Sequence, residues 1–237
     1  MDKGKLYALF IDLSQAFDSI VHTLLWNRLV EEGLSKQLID LIKDIYNKAK
    51  TQIRGKQGLT GFVKILKGVL QGETLSPTLF TIYIDKIVKI LKNSKVKGIN
   101  MHGANIKILL YADDMVLVAT SKDDLQNMIN ILVTYFDENN LKVNLDKTKA
   151  IIFSKNGRHK KTDILKWKNM PIENVQSYTY LGIPFQSTGI FNKAKDHFMT
   201  KARVAQTNLF ELLWKARIKD IRKAVMLFDS LVGSILT

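Results

Sequence analysis

The stretch Ile106-Lys-Ile-Leu-Leu-Tyr-Ala-Asp113-Asp114-Met-Val-Leu-Val-Ala119 places an acidic pair between two short apolar runs. Two such runs joined by a short polar connection predict a β-hairpin with both carboxylates at its tip. Adjacent carboxylates repel each other, and a solvated turn would account for the pair taken alone. The hairpin is therefore a candidate site that needs a third group to support it.

A third acidic residue, Asp12, ends the almost continuous apolar run Lys5–Ile11. Such a run is typical of a strand buried on both faces, and a charge at its end is costly unless something compensates it. If this strand packs beside the hairpin, three carboxylates converge. A cluster of this kind is stable only with raised pKa values or bound cations, and its oxygen ligands favour Mg²⁺ or Mn²⁺ over zinc.

The charge of the chain favours a polyanionic partner. The 237 residues are 46% hydrophobic, enough for a core, and carry a formal net charge of +14. Residues 155–237 contain 15 basic and 6 acidic residues, against 21 and 16 in residues 1–154, so the shorter C-terminal third holds most of the excess. We expect nucleic acid as the partner before an anionic membrane, although solubility alone would account for part of the charge.

Cysteine and membrane signals are missing from the sequence. The absence of cysteine excludes disulfides and thiolate metal sites and fits an intracellular protein. No apolar run approaches the ~18 residues that cross a bilayer, so we expect no membrane association. The apolar patch Leu6–Ile11 is also too short for a signal peptide.

The remaining pattern predicts an α+β fold, with a sheet backed by helices and a separate helical element after it. Helices are expected at Asp18–Glu32, Ser35–Ala49, Thr78–Leu91 and Ser121–Glu138, and from Asn192 onward. Ser121 and Asp124 resemble a capping box at the start of the fourth of these helices. Outside the first strand and the acidic hairpin, we expect a hairpin of Gln52–Arg54 with Phe62–Leu66, strands at Lys149–Ser154 and Tyr178–Phe185, and a basic loop at Lys155–Lys168.

Five short motifs follow one another along the chain: Phe10–Asp18, Gly68–Phe80, Tyr111–Asp114, Leu141–Lys149 and Tyr180–Ile183. In this order they resemble the motifs of reverse transcriptases from non-LTR (LINE-type) retrotransposons. Each is a weak or moderate signal alone, but five in order over Leu6 to Phe185 are specific. The resemblance implies the palm of a right-hand polymerase, with an antiparallel sheet, over residues 1–190 and a helical, basic partial thumb over residues 191–237.

The resemblance also implies an activity, RNA-directed DNA synthesis. A DNA primer's 3′-hydroxyl would attack the α-phosphate of a deoxynucleoside triphosphate (dNTP) on an RNA template, with two metal ions assisting. Asp12, Asp113 and Asp114 would hold two Mg²⁺ ions, with Mn²⁺ as the alternative ion. The backbone carbonyl of Leu13 would be a further ligand.

The same resemblance assigns nucleotide contacts. Phe17 would pack under the sugar and exclude a 2′-hydroxyl, although a core aromatic at a helix start would have the same spacing. Gln71 and Gly72 would contact the incoming nucleotide, although an ordinary polar turn would look alike. Lys147 would lie near the pyrophosphate, a position that it fits better than Lys149 does.

Contacts to primer and template are expected from nine residues. Three of them, Lys215, Lys219 and Arg222, recur at helical spacing and resemble a thumb helix against a duplex, although a solvated basic helix face would show the same pattern. Apolar residues of that helix would face a core: Leu213, Ile221, Val225 and Phe228. The nine contact residues are Ser76, Pro77, Tyr111, Tyr180, Leu181, Gly182, Lys215, Lys219 and Arg222.

Several alternatives stay open. The fingers region that family members carry before the first motif lies outside this stretch, so we expect the rest of a longer polyprotein to supply it. A group II intron-type maturase would share the palm motifs. An RNA-dependent RNA polymerase is disfavoured by Tyr-x-Asp-Asp and by Phe17. A non-catalytic nucleic-acid-binding remnant is the main competitor. A nuclear location follows from the resemblance alone, and the sequence leaves the oligomeric state open.

Overall fold

The structure is a computed structural model that describes residues 4–56, 58–70, 72–155 and 164–236. Within these ranges the chain forms two compact units. Of the described residues, the first unit contains 4–56, 58–70, 72–150 and 164–174. The second unit contains 151–155 and 175–236. The expected boundary between palm and thumb at residue 190 is a different division and stays a prediction.

The helices lie close to their predicted positions. A 3₁₀ turn at Phe17–Ser19 precedes the first helix, and a π-helical turn at Asp229–Gly233 precedes the last. The α-helices are α1 His22–Glu31, α2 Lys36–Lys48, α3 Ser76–Asn93, α4 Lys122–Glu138, α5 Asn192–Lys215, α6 Ile221–Phe228 and α7 Ser234–Leu236.

The strands are more numerous than predicted, because several are two-residue ladders. They are β1 Leu6–Ile11, β2 Lys50–Thr51, β3 Arg54–Gly55, β4 Gly58–Leu59, β5 Val63–Lys64, β6 Ile99–Met101, β7 Ala104–Ile106, β8 Ile108–Tyr111, β9 Asp114–Ala119, β10 Lys149–Phe153, β11 Lys166–Trp167, β12 Met170–Pro171, β13 Glu173–Asn174, β14 Ser177–Tyr180 and β15 Ile183–Gln186.

One five-stranded sheet organises the first unit, in the order β13-β10-β1-β9-β8. Strands β8 and β9 form the predicted antiparallel hairpin, and β1 pairs antiparallel with β9, which meets the condition for the three carboxylates to converge. The short β10–β13 pair is parallel, so the sheet is mixed. Leu9 and Leu117 face each other across the β1–β9 pair with no exposed surface. The strand that ends at Asp12 is therefore buried on both faces, as its apolar run predicts.

Two helix boundaries follow directly from side chains and backbone. The Ser121 hydroxyl accepts the Asp124 backbone N–H at 3.1 Å, which confirms the predicted cap of α4. Gly33 follows α1 with φ +81°, the left-handed conformation that commonly ends a helix. Local capping chemistry therefore sets these ends.

A buried polar network joins α1, α3 and α4. Arg28 donates from Nη2 to Asn139 Oδ1 at 3.1 Å, and the Tyr83 hydroxyl donates to the Asn139 carbonyl at 2.8 Å. The Tyr135 hydroxyl donates to the Tyr83 carbonyl at 2.9 Å, and burial raises the pKa of Tyr135 well above its usual range. These bonds satisfy polar groups inside the helix layer and fix how the three helices pack.

A buried lysine closes the C-terminal end of α3. Lys107 is 9% exposed, and its Nζ donates to the carbonyls of Leu91, Lys92 and Ser94 at 2.6, 3.2 and 3.0 Å. The last carbonyls of a helix lack intrahelical donors and carry partial negative charge. Lys107, the residue directly before β8, donates hydrogen bonds to these carbonyls and so satisfies them.

One sequence prediction near the end of the first unit is wrong. Lys155–Lys168 is not a plain polar loop, because Leu165 and Trp167 are 0% and 6% exposed; residues 156–163 of it lie outside the described ranges. The Trp167 ring packs against that of Phe136 on α4 with centroids 5.6 Å apart. Apolar packing of two residues outweighs the basic composition of this segment.

The second unit consists of a hairpin and a helical bundle. Tyr178–Phe185 was predicted as one strand but forms the β14–β15 hairpin. Ala202 and Leu209 of α5 form a small core with Val232 of the π-helical turn. No helix within the described ranges is long and apolar enough to span a bilayer.

Candidate active site

The three predicted aspartates come together at one end of the β1–β9 pair. Ile11 is the cross-strand partner of Met115, so the next positions outward are Asp12 and Asp114. Asp114 in turn pairs with Tyr111 across the hairpin, which leaves Asp113 in the turn between them. Burial, then the charge of Asp113, then the charge of Asp12 raise the pKa of Asp114. The carboxylates are thus close enough to repel one another.

The turn that carries Asp113 has an unusual backbone. Ala112 has φ +54°, a left-handed conformation that L-residues other than Asn, Asp and Gly rarely adopt. Residues held in such conformations cost free energy and cluster at functional sites. Tyr111, for which a primer or template contact was predicted, is 66% exposed beside this turn.

The donor set of the three aspartates suits a hard divalent cation. Carboxylate oxygens are the ligands that Mg²⁺ and Mn²⁺ prefer, and a cation would relieve the repulsion that raises the Asp114 pKa. Among the residues that the structure describes, no group of three or more His, Cys, Asp or Glu side chains is placed so that it could hold a metal ion. The residue types fit such an ion, but their placement in the described structure does not form a metal site, which stays a prediction.

A second segment pairs with the backbone around Asp12. Leu13 forms an antiparallel bridge with Val143, and Ser14 N–H donates to the Lys142 carbonyl at 2.8 Å. This bond and the bond from Asn144 N–H to the Asp12 carbonyl flank the Leu13–Val143 pair. The backbone N–H and C=O of Leu13 itself therefore point away from residues 142–144. The Leu13 carbonyl, predicted as a metal ligand, is not used by this pairing.

A turn after Val143 holds both backbone groups of Asp12. Asn144 N–H donates to the Asp12 carbonyl at 2.9 Å, and Asp12 N–H donates to Thr148 Oγ1 at 3.2 Å. Asn144 Oδ1 accepts the N–H groups of Asp146 and Lys147 at 3.1 and 3.3 Å, as in an Asx turn. The sequence motifs alone predict no role for Asn144 or Thr148, although the Asn-x-x-x-Thr spacing is a signal for such a turn.

Lys147 extends from this turn toward the carboxylates. Its Nζ lies 3.9 Å from Asp12 Oδ2, and 68% of its side chain is exposed. The structure thus places the predicted pyrophosphate-binding lysine beside the predicted metal ligand. An exposed ion pair at this distance adds little stability, so its significance is positional.

The predicted sugar-selecting residue lies against the second motif. The half-buried Phe17 ring stacks on the ring of Phe80, with centroids 4.7 Å apart and planes at 27°. The Phe17 carbonyl accepts Val69 N–H at 2.9 Å. Gly68 has φ +84°, and a Cβ on it would lie 2.9 Å from Asp18 Cα. Only glycine allows the two backbones to approach this closely.

The remaining residues of the second motif differ in exposure. Gln71 lies outside the described residues, and its neighbour Gly72 is exposed with φ +84°. Pro77 is exposed in the first turn of α3. Ser76 is 2% exposed, and its hydroxyl donates to the Leu70 carbonyl at 2.6 Å. Ser76 therefore holds the turn internally, and its buried position does not support the predicted template contact.

Three predicted primer-contacting residues form the turn of the β14–β15 hairpin. Tyr180 pairs with Ile183, which leaves Leu181 and Gly182 as a two-residue turn. Both have positive φ, +48° and +80°, as a type I′ turn requires. Leu181 is 48% exposed at the tip of this turn.

The predicted basic thumb helix is wrong. Lys215 is the last residue of α5, Lys219 lies in the connection that follows, and Arg222 belongs to α6. The three residues therefore do not form one helical row. Three apolar residues that were predicted to face a core are also exposed, at 78%, 52% and 38%: Ile221, Val225 and Phe228.

Backbone geometry explains the break between α5 and α6. Arg217 adopts φ +52°, and Ile218 N–H reaches back to the Leu213 carbonyl at 3.0 Å, which is the Schellman pattern of a helix end. Asp220 Oδ1 then accepts Arg222 N–H at 2.9 Å and starts the next helix. Glycine usually occupies this left-handed position, so an arginine there does not predict the end of a helix.

Comparisons with known proteins agree on one family. A family model described as reverse transcriptase (RNA-dependent DNA polymerase) matches residues 1–185. The chain is 27% identical over 195 residues to a Pol polyprotein from the type-1 retrotransposable element R2 of Bradysia coprophila, covering 79% of this chain and 22% of the relative. It is 24% identical to the RNA-directed DNA polymerase from the mobile element jockey of Drosophila funebris, covering 86% and 22%.

Solved structures agree on the fold. Telomerase from Candida tropicalis, in complex with a fragment of telomeric RNA, superposes with a TM-score of 0.57 at 15% identity, covering 97% of this chain and 38% of that one. An apo form truncated from the C-terminal domain gives 0.56 at 18% identity, covering 79% and 35%. The chain thus spans about a fifth of the length of the two retrotransposon relatives and just over a third of these telomerase chains.

Proposed function

Because the chain belongs to the reverse transcriptase (RNA-dependent DNA polymerase) family, we propose that it forms the catalytic palm of the RNA-directed DNA polymerase of a non-LTR retrotransposon. The observation that carries the proposal is the meeting of Asp12 with Asp113 and Asp114 at the paired ends of β1 and β9. This arrangement supports a role in polymerisation better than a binding role alone, because three adjacent carboxylates repel a nucleic acid backbone unless cations accompany them.

The proposed reaction is nucleotidyl transfer to a primer. The primer 3′-hydroxyl gives up its proton to solvent, its oxygen forms a bond to the α-phosphorus of a dNTP, the bond from that phosphorus to the bridging oxygen breaks, and pyrophosphate leaves. Two Mg²⁺ ions, held by Asp12, Asp113 and the Leu13 carbonyl with Asp114 in support, would acidify the hydroxyl and stabilise the leaving group. Mn²⁺ would suit the same oxygen donors.

The chain's other residues would orient the nucleotide. Phe17, held by Phe80 below it and by Val69 N–H at its carbonyl, would exclude a ribose 2′-hydroxyl. Gly72 would let the backbone approach the nucleotide. The Lys147 Nζ lies 3.9 Å from Asp12 Oδ2 and would stabilise negative charge on the departing pyrophosphate.

Nucleic acid would supply the other partners. The net charge of +14 favours a polyanion, and an RNA template with a DNA primer is the pair that the family implies. The exposed Leu181 turn would contact the primer end. Lys215, Lys219 and Arg222 would contribute separate phosphate contacts rather than one helical row.

The test is primer extension by the full-length protein. With an RNA template, a DNA primer, dNTPs and Mg²⁺, we expect extension that is lost in Asp113→Asn. A matched control is Asp137→Asn, since Asp137 is an exposed acid of α4 whose carboxylate pairs with Lys168 at 2.8 Å. Extension by Asp113→Asn at the wild-type rate would refute the site.

Two other outcomes identify the competing functions. A wild-type protein that binds the RNA–DNA hybrid but extends no primer under any divalent metal would be a non-catalytic remnant. A protein that incorporates ribonucleotides as readily as dNTPs would be an RNA polymerase instead.

A further inference from the structure

Asp12 is held through its backbone by one short turn. Its carbonyl accepts Asn144 N–H at 2.9 Å, and its N–H donates to Thr148 Oγ1 at 3.2 Å. Asn144 and Thr148 are themselves linked, because Thr148 N–H donates to the Asn144 carbonyl at 2.9 Å. The peptide groups on both sides of the Asp12 Cα are therefore tied to a single structural element.

The turn is rigid where it touches Asp12. Thr148 is 0% exposed, so its hydroxyl has little freedom to move and no water to replace it. Asn144 Oδ1 closes the turn by accepting two backbone N–H groups, those of Asp146 and Lys147. Asp12, by contrast, is only partly buried, with 31% of its side chain exposed. The Asp12 carboxylate is thus partly solvated, whereas the backbone that carries it is held by hydrogen bonds to Asn144 and Thr148.

We propose that Thr148 and Asn144 are positioning residues that orient Asp12 for binding a divalent cation. The proposal rests on the proposed function, because it assumes that Asp12 is a metal ligand. The direction of a carboxylate depends on its Cα–Cβ bond, and that bond is fixed by the two neighbouring peptide planes. Groups that hold a metal ligand in place typically contribute about 10- to 100-fold to metal affinity.

The same turn also places Lys147. Its backbone N–H donates to Asn144 Oδ1, and its Nζ lies 3.9 Å from Asp12 Oδ2. Asn144 therefore contacts both groups: its side chain holds the Lys147 backbone, and its backbone N–H holds the Asp12 carbonyl. Loss of the Thr148 hydroxyl alone releases only the N–H of Asp12.

A purely structural role is the competing explanation. Thr148 directly precedes β10, and a buried hydroxyl can matter only because its removal destabilises the fold. A structural role predicts a lower unfolding temperature with unchanged metal affinity in the protein that remains folded. A positioning role predicts weaker metal binding by folded protein.

The experiment measures Mn²⁺ binding to the full-length protein by electron paramagnetic resonance, without nucleic acid. Thr148→Val keeps the shape of the side chain but removes the acceptor, and we expect Mn²⁺ to bind about 10- to 100-fold more weakly. Thr148→Ser restores the hydroxyl and should restore the affinity. Thr134→Val is the matched control, because the Thr134 hydroxyl bonds only within α4, to the Asn130 carbonyl at 3.3 Å, on an exposed face.

Primer extension gives a second readout. For Thr148→Val, the Mg²⁺ concentration for half-maximal rate should rise by a similar factor, while the KM for dNTP at saturating Mg²⁺ stays within about twofold of wild type. If Thr148→Val does not fold, Asn144→Ala tests the same turn: it removes the Asx turn that fixes the conformation of the segment holding the Asp12 backbone, so we expect weaker Mn²⁺ binding. Wild-type Mn²⁺ affinity in folded Asn144→Ala would overturn the positioning role.

The outcomes separate this proposal from the proposed function. Wild-type protein that extends primers, with Thr148→Val binding Mn²⁺ as tightly as wild type, overturns the positioning role alone. Weaker binding that Thr148→Ser does not restore overturns it as well. Wild-type protein whose Mn²⁺ binding is unaffected by Asp12→Asn overturns both, since Asp12 would then not be a ligand.

Discussion

The ring of Phe17 stacks on the ring of Phe80, with the two centroids 4.7 Å apart. Phe80 has no exposed surface and belongs to α3, whereas Phe17 is half-buried in the 3₁₀ turn that follows the Asp12 segment. An aromatic side chain packed on one face by a buried ring has little freedom to retreat. The Phe17 side chain that would contact a sugar is therefore held in place by the Phe80 ring.

The first prediction concerns sugar selection. Phe17→Val removes the ring while leaving a β-branched apolar side chain, so ribonucleotides should be incorporated while dNTP incorporation continues. The measurement is the ratio of kcat/KM for a dNTP to that for the matching ribonucleotide. An unchanged ratio would show that Phe17 is only a core residue.

The support of the ring can be tested separately. Phe80→Leu should lower the same ratio by a smaller factor, because Phe17 stays but loses its packing partner. Phe136→Leu is the matched control, since Phe136 is another buried phenylalanine and its ring packs on Trp167 instead. Equal effects of Phe80→Leu and Phe136→Leu on selectivity would contradict the link between the two rings.

The second prediction concerns the close approach at Gly68. Gly68→Ala puts a Cβ 2.9 Å from Asp18 Cα at φ +84°, so the two backbones must move apart. We expect a free energy of unfolding lower by about 1–3 kcal/mol, and a higher KM for dNTP because Phe17 moves with its carbonyl. Gly103→Ala is the control, with φ +83° but nothing within 4 Å of its Cβ, and it isolates the cost of φ alone. Equal losses of stability in both variants would disprove the steric argument.

The third prediction is the pH dependence of stability without metal. The folded state raises the Asp114 pKa from its ordinary value of 3.8 by burial and by the charges of Asp113 and Asp12. Folding therefore favours the protonated form, and this contribution, fully present below that ordinary value, is lost as the pH rises through the raised pKa. In EDTA at pH 7, Asp114→Asn should unfold at a higher temperature than wild type, and the difference should shrink toward pH 4.

Calorimetry across that pH range checks this prediction. Asp137→Asn reports the general effect of removing an acid from a chain of net charge +14, and its effect is to be subtracted. The repulsion at Asp114 would be disproved by an Asp114→Asn variant that is no more stable than Asp137→Asn at pH 7.

The fourth prediction concerns the buried network of α1, α3 and α4. Arg28→Met keeps an unbranched side chain but deprives the buried Asn139 Oδ1 of the donor at 3.1 Å. The free energy of unfolding in urea should fall by about 1–3 kcal/mol, the cost of an unsatisfied buried acceptor. Glu31→Gln, which weakens the exposed part of the same network, should cost less than about 1 kcal/mol. If Glu31→Gln were the more damaging change, the ion pair would be the main stabilising interaction.

Local pattern predicted the elements that build the first unit. The buried run before Asp12, the acidic hairpin and the Ser121 cap each follow from a few neighbouring residues, and all three are present. The convergence of Asp12 with Asp113 and Asp114 required only that two predicted strands pair. Such features depend on short-range chemistry that a single sequence displays.

Long-range contacts were not predictable in the same way. The bond from Asp12 to Thr148 joins residues 136 positions apart. The Asn144-x-x-x-Thr148 spacing indicates a local turn, but it does not show that the turn contacts the strand end at Asp12. The helix break at Arg217 was missed because a positive φ there is set by the Schellman bonds and not by a glycine. Trp167 was placed in a loop because the lysines around it dominate the composition.

The attachment of α3 at both ends has a mechanical consequence. Its first residue, Ser76, is tied to the Leu70 carbonyl, and its last turn is tied to Lys107, which leads into the strand that ends beside Asp113. The 18-residue helix is therefore a strut, roughly 27 Å long, between the loop of the second motif and the acidic hairpin. Because a hydrogen-bonded helix is stiff along its axis, the loop of the second motif and the start of β8 are held at a nearly fixed separation.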